Sequence, residues 1–234
     1  MAISQTARRA LDAYGGEERW RSATAIEVTL SAGGLAFQLK WQRAFRRVRG
    51  RVELARPHVR LDPIDRHGRI GVLDGTEVRL EHADGNMLRS RSDPRDKFPY
   101  GRRLLWWDAL DQTYFAGYAL WNYMAFPALL LRDDIEWREP QPGTLEARFP
   151  PYLPTHSERQ AFHFDLETGL LRQHDYTAEV FGGWAKAAHV ILEHSTREGP
   201  TYPSRRRVTP RKADGSPRRG PVLVWIEVHD WRLL

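Results

Sequence analysis

The chain has 234 residues, 41% of them hydrophobic and 28% charged, with a formal net charge of +6; it is long enough to bury a substantial core and ordinary in composition for a folded protein. It contains no cysteine, which excludes a disulfide framework, a thiolate zinc site, an iron–sulfur cluster and a thiol nucleophile. The positive charge is nearly all arginine, 32 Arg against 4 Lys, but acidic residues are interspersed along most of the chain, so the skew reads first as solvated faces and not as a nucleic-acid surface.

In chain order, Ser4 to Ala23 reads as helix, with Ala7, Leu11 and Tyr14 at helical spacing and an interruption at Gly15-Gly16. The opening residues carry no apolar stretch after their charges and no cysteine for lipid attachment; neither a signal peptide nor a lipoprotein anchor is expected, and the expected location is cytoplasmic. The pattern then changes to period two. Ile26, Val28 and Leu30 alternate with polar residues, Gly33-Gly34 reads as a turn, and Phe37, Leu39 and Trp41 alternate again, which predicts a hairpin with one buried face. Strands are expected at Phe45 to Leu54 and His58 to Asp62. A further hairpin is expected around Asp74-Gly75, with a three-residue loop pairing Val72 with Val78 and Ile70 with Leu80 so that one face stays apolar.

From about 103 to 132 the chain is rich in aromatic residues, and Thr113 to Leu131 carries no charge. That length raises the question of a membrane span. Gln112, Asn122 and Pro127, in an otherwise very polar chain, favour a buried helix pair bent or broken near Pro127, with no transmembrane segment. Period two then returns. Strands are expected at Ile135 to Trp137, Leu145 to Phe149, up to Phe164, Leu171 to Val180 after the Asp165–Gly169 turn, Ala187 to His194, Tyr202 to Thr209 and Pro221 to Trp231. The order of helix, strands, helical insert and strands with short connections predicts a mostly β (α+β) chain of one domain, residues 1–234. Its sheet would be antiparallel and strongly curved, with helices packed on one side; a closed barrel is the alternative.

The helix ending in Tyr14-Gly15-Gly16, the strand blocks around an apolar insert, and the closing runs DYTAEVFGGWAKAAH (175–189) and YPSRRRVTPRKADGSPRRGPVLVWIEV (202–228) resemble a group of bacterial proteins related to the LolA/LolB-like lipoprotein carriers. The resemblance implies an open half-barrel with helices, including the aromatic-rich insert, on its concave side, and a cavity able to hold an acyl chain. It brings no catalytic motif.

Among residues able to carry chemistry, His174-Asp175-Tyr176, Glu179 and His189 form the richest polar group. On strands, Asp175 and Glu179 would share a face, with His189 on the neighbouring strand; such carboxylates beside an imidazole in an apolar cavity could act as general acid and base, or could form a polar ladder at a solvated face. The nine histidines show no metal-ligand spacing, there is no nucleophile elbow and no phosphate loop, and no cofactor is expected. Two arginine groups, Arg43 to Arg51 and Arg205 to Arg219, could meet an anionic group on a small ligand or serve an interaction surface; nucleic acid is not expected, for want of interleaved exposed aromatics.

The function expected is binding of a hydrophobic or amphipathic small molecule or acyl chain. Trp106, Tyr118, Trp121 and Phe126 would form a wall or lid and Trp41 and Trp225 the floor, although the same aromatics could equally be core. The alternatives are an enzyme acting on an apolar molecule in the same cavity through Asp175, Glu179 and His189, and an interaction module with an arginine surface.

Overall fold

A computed structural model describes residues 3–234. The helical opening is two helices, α1 (Gln5–Ala13) and α2 (Glu17–Ser22). The Ser4 side chain accepts the Ala7 N–H at the start of α1. Gly15 and Gly16, at φ of 106° and 95°, make the break between the two helices, as glycine alone does at little cost.

The strands are β1 (Ala25–Gly33), β2 (Phe45–Glu53), β3 (His58–Asp62), β4 (Ile70–Asp74), β5 (Glu77–Glu81), β6 (Met87–Ser92), β7 (Glu136–Gln141), β8 (Thr144–Arg148), β9 (Arg159–Phe164), β10 (Leu171–Thr177), β11 (Lys186–Thr196), β12 (Thr201–Pro210) and β13 (Val224–Leu233). They form one antiparallel sheet in the order β6-β5-β4-β3-β2-β1-β13-β12-β11-β10-β9-β8-β7. Every pairing but one joins strands adjacent in sequence. The exception, β1 with β13, sets Ile26 opposite Leu233 and Val28 opposite Trp231, and so stitches the two halves together. The outer strands β6 and β7 do not meet, so the barrel is open, as the α+β reading expects.

The predicted hairpin at Gly33-Gly34 does not form. Leu35–Gln38 is a short helix, α3, and the partner of β1 is β2. Gly34 turns the chain at φ 130°. The Leu35 and Ala36 N–H groups then donate to the Val222 and Leu223 carbonyls at 3.1 and 2.9 Å, which fixes the segment against the approach to β13. Only Phe37 of the expected apolar set is buried, edge-on to Phe45 at 5.4 Å; Leu39 and Trp41 face outward.

The β4–β5 register also differs from expectation. Leu73 pairs with Val78 and Val72 with Arg79 around a Gly75-Thr76 turn. Both faces of β4 are buried, because Arg60 and Arg79 flank Val72 on the convex face and meet Glu81 there; their aliphatic stems cover what alternation assigns to solvent. Strand β10 stops at Thr177, and Glu179–Phe181 is a turn of 3-10 helix.

The aromatic insert contains one long helix, α4 (Ala109–Met124), between 3-10 turns at Gly101–Leu104 and Ala128–Leu131. No described helix is long and apolar enough to cross a membrane. Nearly every residue of α4 is buried, and it lies on the concave face against β2, β3, β4 and β5. Glycines let it come close: a Cβ on Gly117 would stand 2.7 Å from Leu73 Cβ, one on Gly71 2.6 Å from Thr113 Oγ1, and one on Gly50 3.2 Å from Leu120 Cδ2. At the other end an Asp108–Asp111 capping box starts α4. Asp111, fully buried, is held by Arg91, Arg102 and Arg103 at 2.5, 2.6 and 2.7 Å. The guanidiniums of Arg91 and Arg102 also hold the Asp108 carboxyl down at about 2, against its burial.

Gly117→Ala adds helix propensity worth about 1 kcal/mol but forces a contact whose cost is about 1–3 kcal/mol. The overlap falls on Leu73 Cβ, which cannot swing aside, so net destabilisation is expected, read as a lower urea midpoint; a raised midpoint would refute the close packing. Asp111→Asn leaves three arginines around an uncharged group and should cost about 3–5 kcal/mol, again by urea titration; a loss below about 1 kcal/mol, the level of an exposed pair, would show that the network does not anchor α4.

Candidate functional site

Because α4 leans toward β2–β5, the concave face beside β1 and β11–β13 is not fully filled. Between the helix and β1, β11, β12 and β13 lies a cavity of about 400 Å³, within the range of about 300–1,000 Å³ usual for small-molecule sites. Phe115, Ala116, Ala119, Leu120 and Tyr123 line it from α4, the spacing of one helix face. Ala116 and Ala119 leave the room. Leu30, Ala187, Val208 and Ile226 form the floor, and Phe37 and Phe181 the sides. The exposed members of the lining mark the mouth: Leu39, Lys186, Arg218, Pro221 and Trp184, whose surface is 80% accessible.

The inner wall is polar. The Tyr123 hydroxyl lies 2.6 Å from His156 Nε2 and 2.7 Å from the Tyr176 hydroxyl, and the His156 and Tyr176 rings stack at 3.8 Å. All three border the cavity. Burial pushes His156 well below the usual imidazole range and keeps both phenols above theirs, so the group is neutral. Behind it His174 stands opposite His189 across β10 and β11. His174 Nε2 meets Gln160 at 2.6 Å, whereas neither nitrogen of His189 has a partner among the described residues. Burial lowers both imidazoles well below 6.5.

The expected acid–base group is not assembled. Asp175 pairs in register with Ala188 and Ala161 on the convex face, where it meets His163 and Arg211, each at 3.1 Å. His189 is on the concave face, directly opposite His174. Glu179 lies beyond the strand end and pairs with Arg95. The strand that would have aligned Asp175 with Glu179 ends between them, and the sheet itself separates Asp175 from His189.

None of the six expected ligand-binding aromatics lines the cavity. Trp41 is 84% exposed, and Trp106 is half exposed beneath the Arg102 guanidinium, 4.5 Å away. Tyr118 is core against His156 at 5.0 Å, Trp121 donates its indole N–H to the Glu53 carbonyl at 3.0 Å, and Phe126 stacks on Phe162 at 5.6 Å. Trp225 lies opposite Gly33, with its ring over that glycine's open face, while its neighbour Ile226 faces inward. The insert does wall the cavity, but through the helix face that carries its small residues. Two lining residues give no such signal in the sequence: His156 sits in an irregular loop, and Phe37 alternates as a strand residue would but lies in α3. No group of three or more potential metal ligands occurs among the described residues.

No family profile and no curated protein sequence matches the chain. Solved structures do. The LolA superfamily protein of Nitrosomonas europaea superposes with a TM-score of 0.53 at 8% identity, covering 100% of this chain and 94% of that one. An outer membrane lipoprotein-sorting protein domain from Vibrio parahaemolyticus superposes at 0.49 and 10% identity, covering 98% and 91%. The chain has the LolA-like open half-barrel fold.

The buried imidazoles give the protein an acid limit. His194 is lowered to about 4 by burial and by Arg206, and His156, His174 and His189 are also depressed, whereas the unfolded chain protonates histidine near about 6.5. The stability from keeping them neutral is complete above that pH and is lost as pH falls toward 4. With four groups the slope approaches about 5 kcal/mol per pH unit. Urea midpoints at pH 7.5 and 5.5 should differ strongly, and a flat profile would contradict buried neutral imidazoles.

Proposed function

We propose that the chain, acting as one domain, binds an apolar or amphipathic small molecule with its hydrocarbon part between α4 and β1, β11, β12 and β13. The observation that carries this is the cavity of about 400 Å³ whose walls, apart from the Tyr123, His156 and Tyr176 group and the cations Lys186, Arg211 and Arg218, are apolar. An unfilled apolar space of this size forfeits dispersion contacts that a hydrocarbon would restore. The mouth agrees with this reading, since exposed Trp184 with Lys186 and Arg218 offers an amphipathic molecule arriving from solvent both a ring and cations. The LolA-like fold agrees with it.

A second reading rests on the Tyr123–His156–Tyr176 group. A neutral imidazole and two hydroxyls in mutual hydrogen-bond reach on a dry wall could relay a proton to a bound substrate. Conversion of a bound ligand by the native protein but not by Tyr176→Phe would favour it; unchanged ligand mass in both would leave binding alone.

Ala119→Phe fills the space beneath α4. Binding of dodecanol, followed by displacement of a neutral apolar dye, should weaken at least tenfold, about 1.4 kcal/mol, with circular dichroism unchanged. Undiminished binding would place the ligand elsewhere.

A further inference from the structure

One charge buried beside the cavity has no counter-charge among the described residues. Arg206 projects from β12 onto the concave face between Ile191 of β11 and Ile226 of β13. It is buried, and its one hydrogen bond among the described residues runs from Nε to the Pro203 carbonyl at 3.4 Å. Nearby on the same strand and its continuation, Arg205 pairs with Glu193 and Arg211 with Asp175, each at 3.1 Å. Arg206 pairs with no carboxylate among the described residues. Desolvation lowers its pKa to about 10, so the guanidinium still carries its charge at neutral pH.

The surroundings are hydrogen-bond donors and rings. The Tyr123 ring lies 5.6 Å from the guanidinium carbon and 4.4 Å from the ring of His189. His189 is fully buried with both nitrogens unpartnered among the described residues, and Ser204, two residues before Arg206, has an unpartnered buried hydroxyl. Tyr14 and His194 are joined at 3.0 Å, and both lie within electrostatic reach of Arg206. An uncompensated buried cation is among the costliest arrangements a fold can hold. Arginine is also the side chain best shaped to take two oxygens of one anion.

The structure assigns Arg206, with His189 and Ser204, as an anion subsite behind the Tyr123 wall of the cavity, taking the carboxylate or phosphate head of the ligand. This rests on the cavity being the binding site. Tyr123, Val208 and Ile226 line the cavity and also flank Arg206, so one layer of side chains separates the two, and the head passes Tyr123 to reach the guanidinium. The ligand class is then an acid-headed amphiphile bound head inward, with its chain toward Trp184.

The test compares dodecanoate, dodecyl phosphate and dodecanol by calorimetry on the whole protein and on Arg206→Met and Arg206→Lys. The native protein should bind one of the acids at least tenfold tighter than dodecanol. Arg206→Met should lose that preference, keep its dodecanol affinity and unfold no earlier than the native protein, because it removes an unpaired buried charge. Arg206→Lys should keep part of the preference. Equal affinity for acid and alcohol in the native protein, or a preference that survives Arg206→Met and so belongs to Lys186 and Arg218 at the mouth, would overturn the subsite and leave the cavity standing. Failure of all three ligands to bind would overturn the cavity and the subsite together. An Arg206→Met protein that does not fold would show the guanidinium already satisfied within the chain, against the proposal. If inorganic phosphate raises the Tm of the native protein but not of Arg206→Met, and neither acid outbinds dodecanol, the anion arrives free, and the ligand-borne head is overturned.

Discussion

The structure depends on how near α4 comes to the sheet. Gly50, Gly71 and Gly117 remove the side chains that would hold the helix away, and the contact they permit lies over β2–β5, to one side of the concave face. Interiors pack densely, and a helix centred on the sheet would have filled the hollow. Placed off-centre, with Ala116 and Ala119 on the face turned away from β4, α4 leaves the volume beside β1 and β11–β13 open. The buried Asp111 and its three arginines hold the N-terminal end of the same helix, so the position of α4 is set both by close contact along its length and by charge at its start.

The hollow is not uniform. Near the mouth it is hydrocarbon, edged by a tryptophan and two cations. Its inner wall is a neutral group of two tyrosines and a histidine, and behind that wall lies an arginine that meets no acid among the described residues. A store for plain hydrocarbon would need none of these polar groups, since each costs desolvation that an apolar side chain avoids. Their presence argues that the ligand has a polar end, or that the wall acts on what is bound. Both follow from the same cavity and differ in whether the bound molecule leaves unchanged.

Much of the architecture was legible because it rests on periodicities that the backbone enforces. Alternation located β1 and β2, gave β3 its bounds, and the uncharged run located α4. The Asp165–Gly169 turn was readable from residues that each favour such a bend. What escaped was decided by contacts distant in sequence. Phe37, Leu39 and Trp41 alternate as a strand would, but the carbonyls of Val222 and Leu223 capture the backbone first and wind it into a helix. Val72 looked inward-facing because nothing local reveals that Arg60 and Arg79 cover the outer face. The acid–base group failed for a related reason: pairing registers, not spacing, put Asp175 and His189 on opposite faces. The sequence does carry two signals of the cavity and its surroundings. Val208 facing inward implies that Arg206 does too, by period two, which isolates one arginine of a run of three from solvent. Ala116 and Ala119, one turn apart amid bulky aromatics, mark the face of α4 where volume is missing.

The most direct measurement of the central claim is a crystal structure of the protein with a bromine-tagged long-chain alcohol, located by the anomalous signal of the halogen. The bromine should lie between Ala119 of α4 and Ile226 of β13. A bromine found only on the convex face or in a lattice contact, with the space beneath α4 empty or closed, would contradict the account.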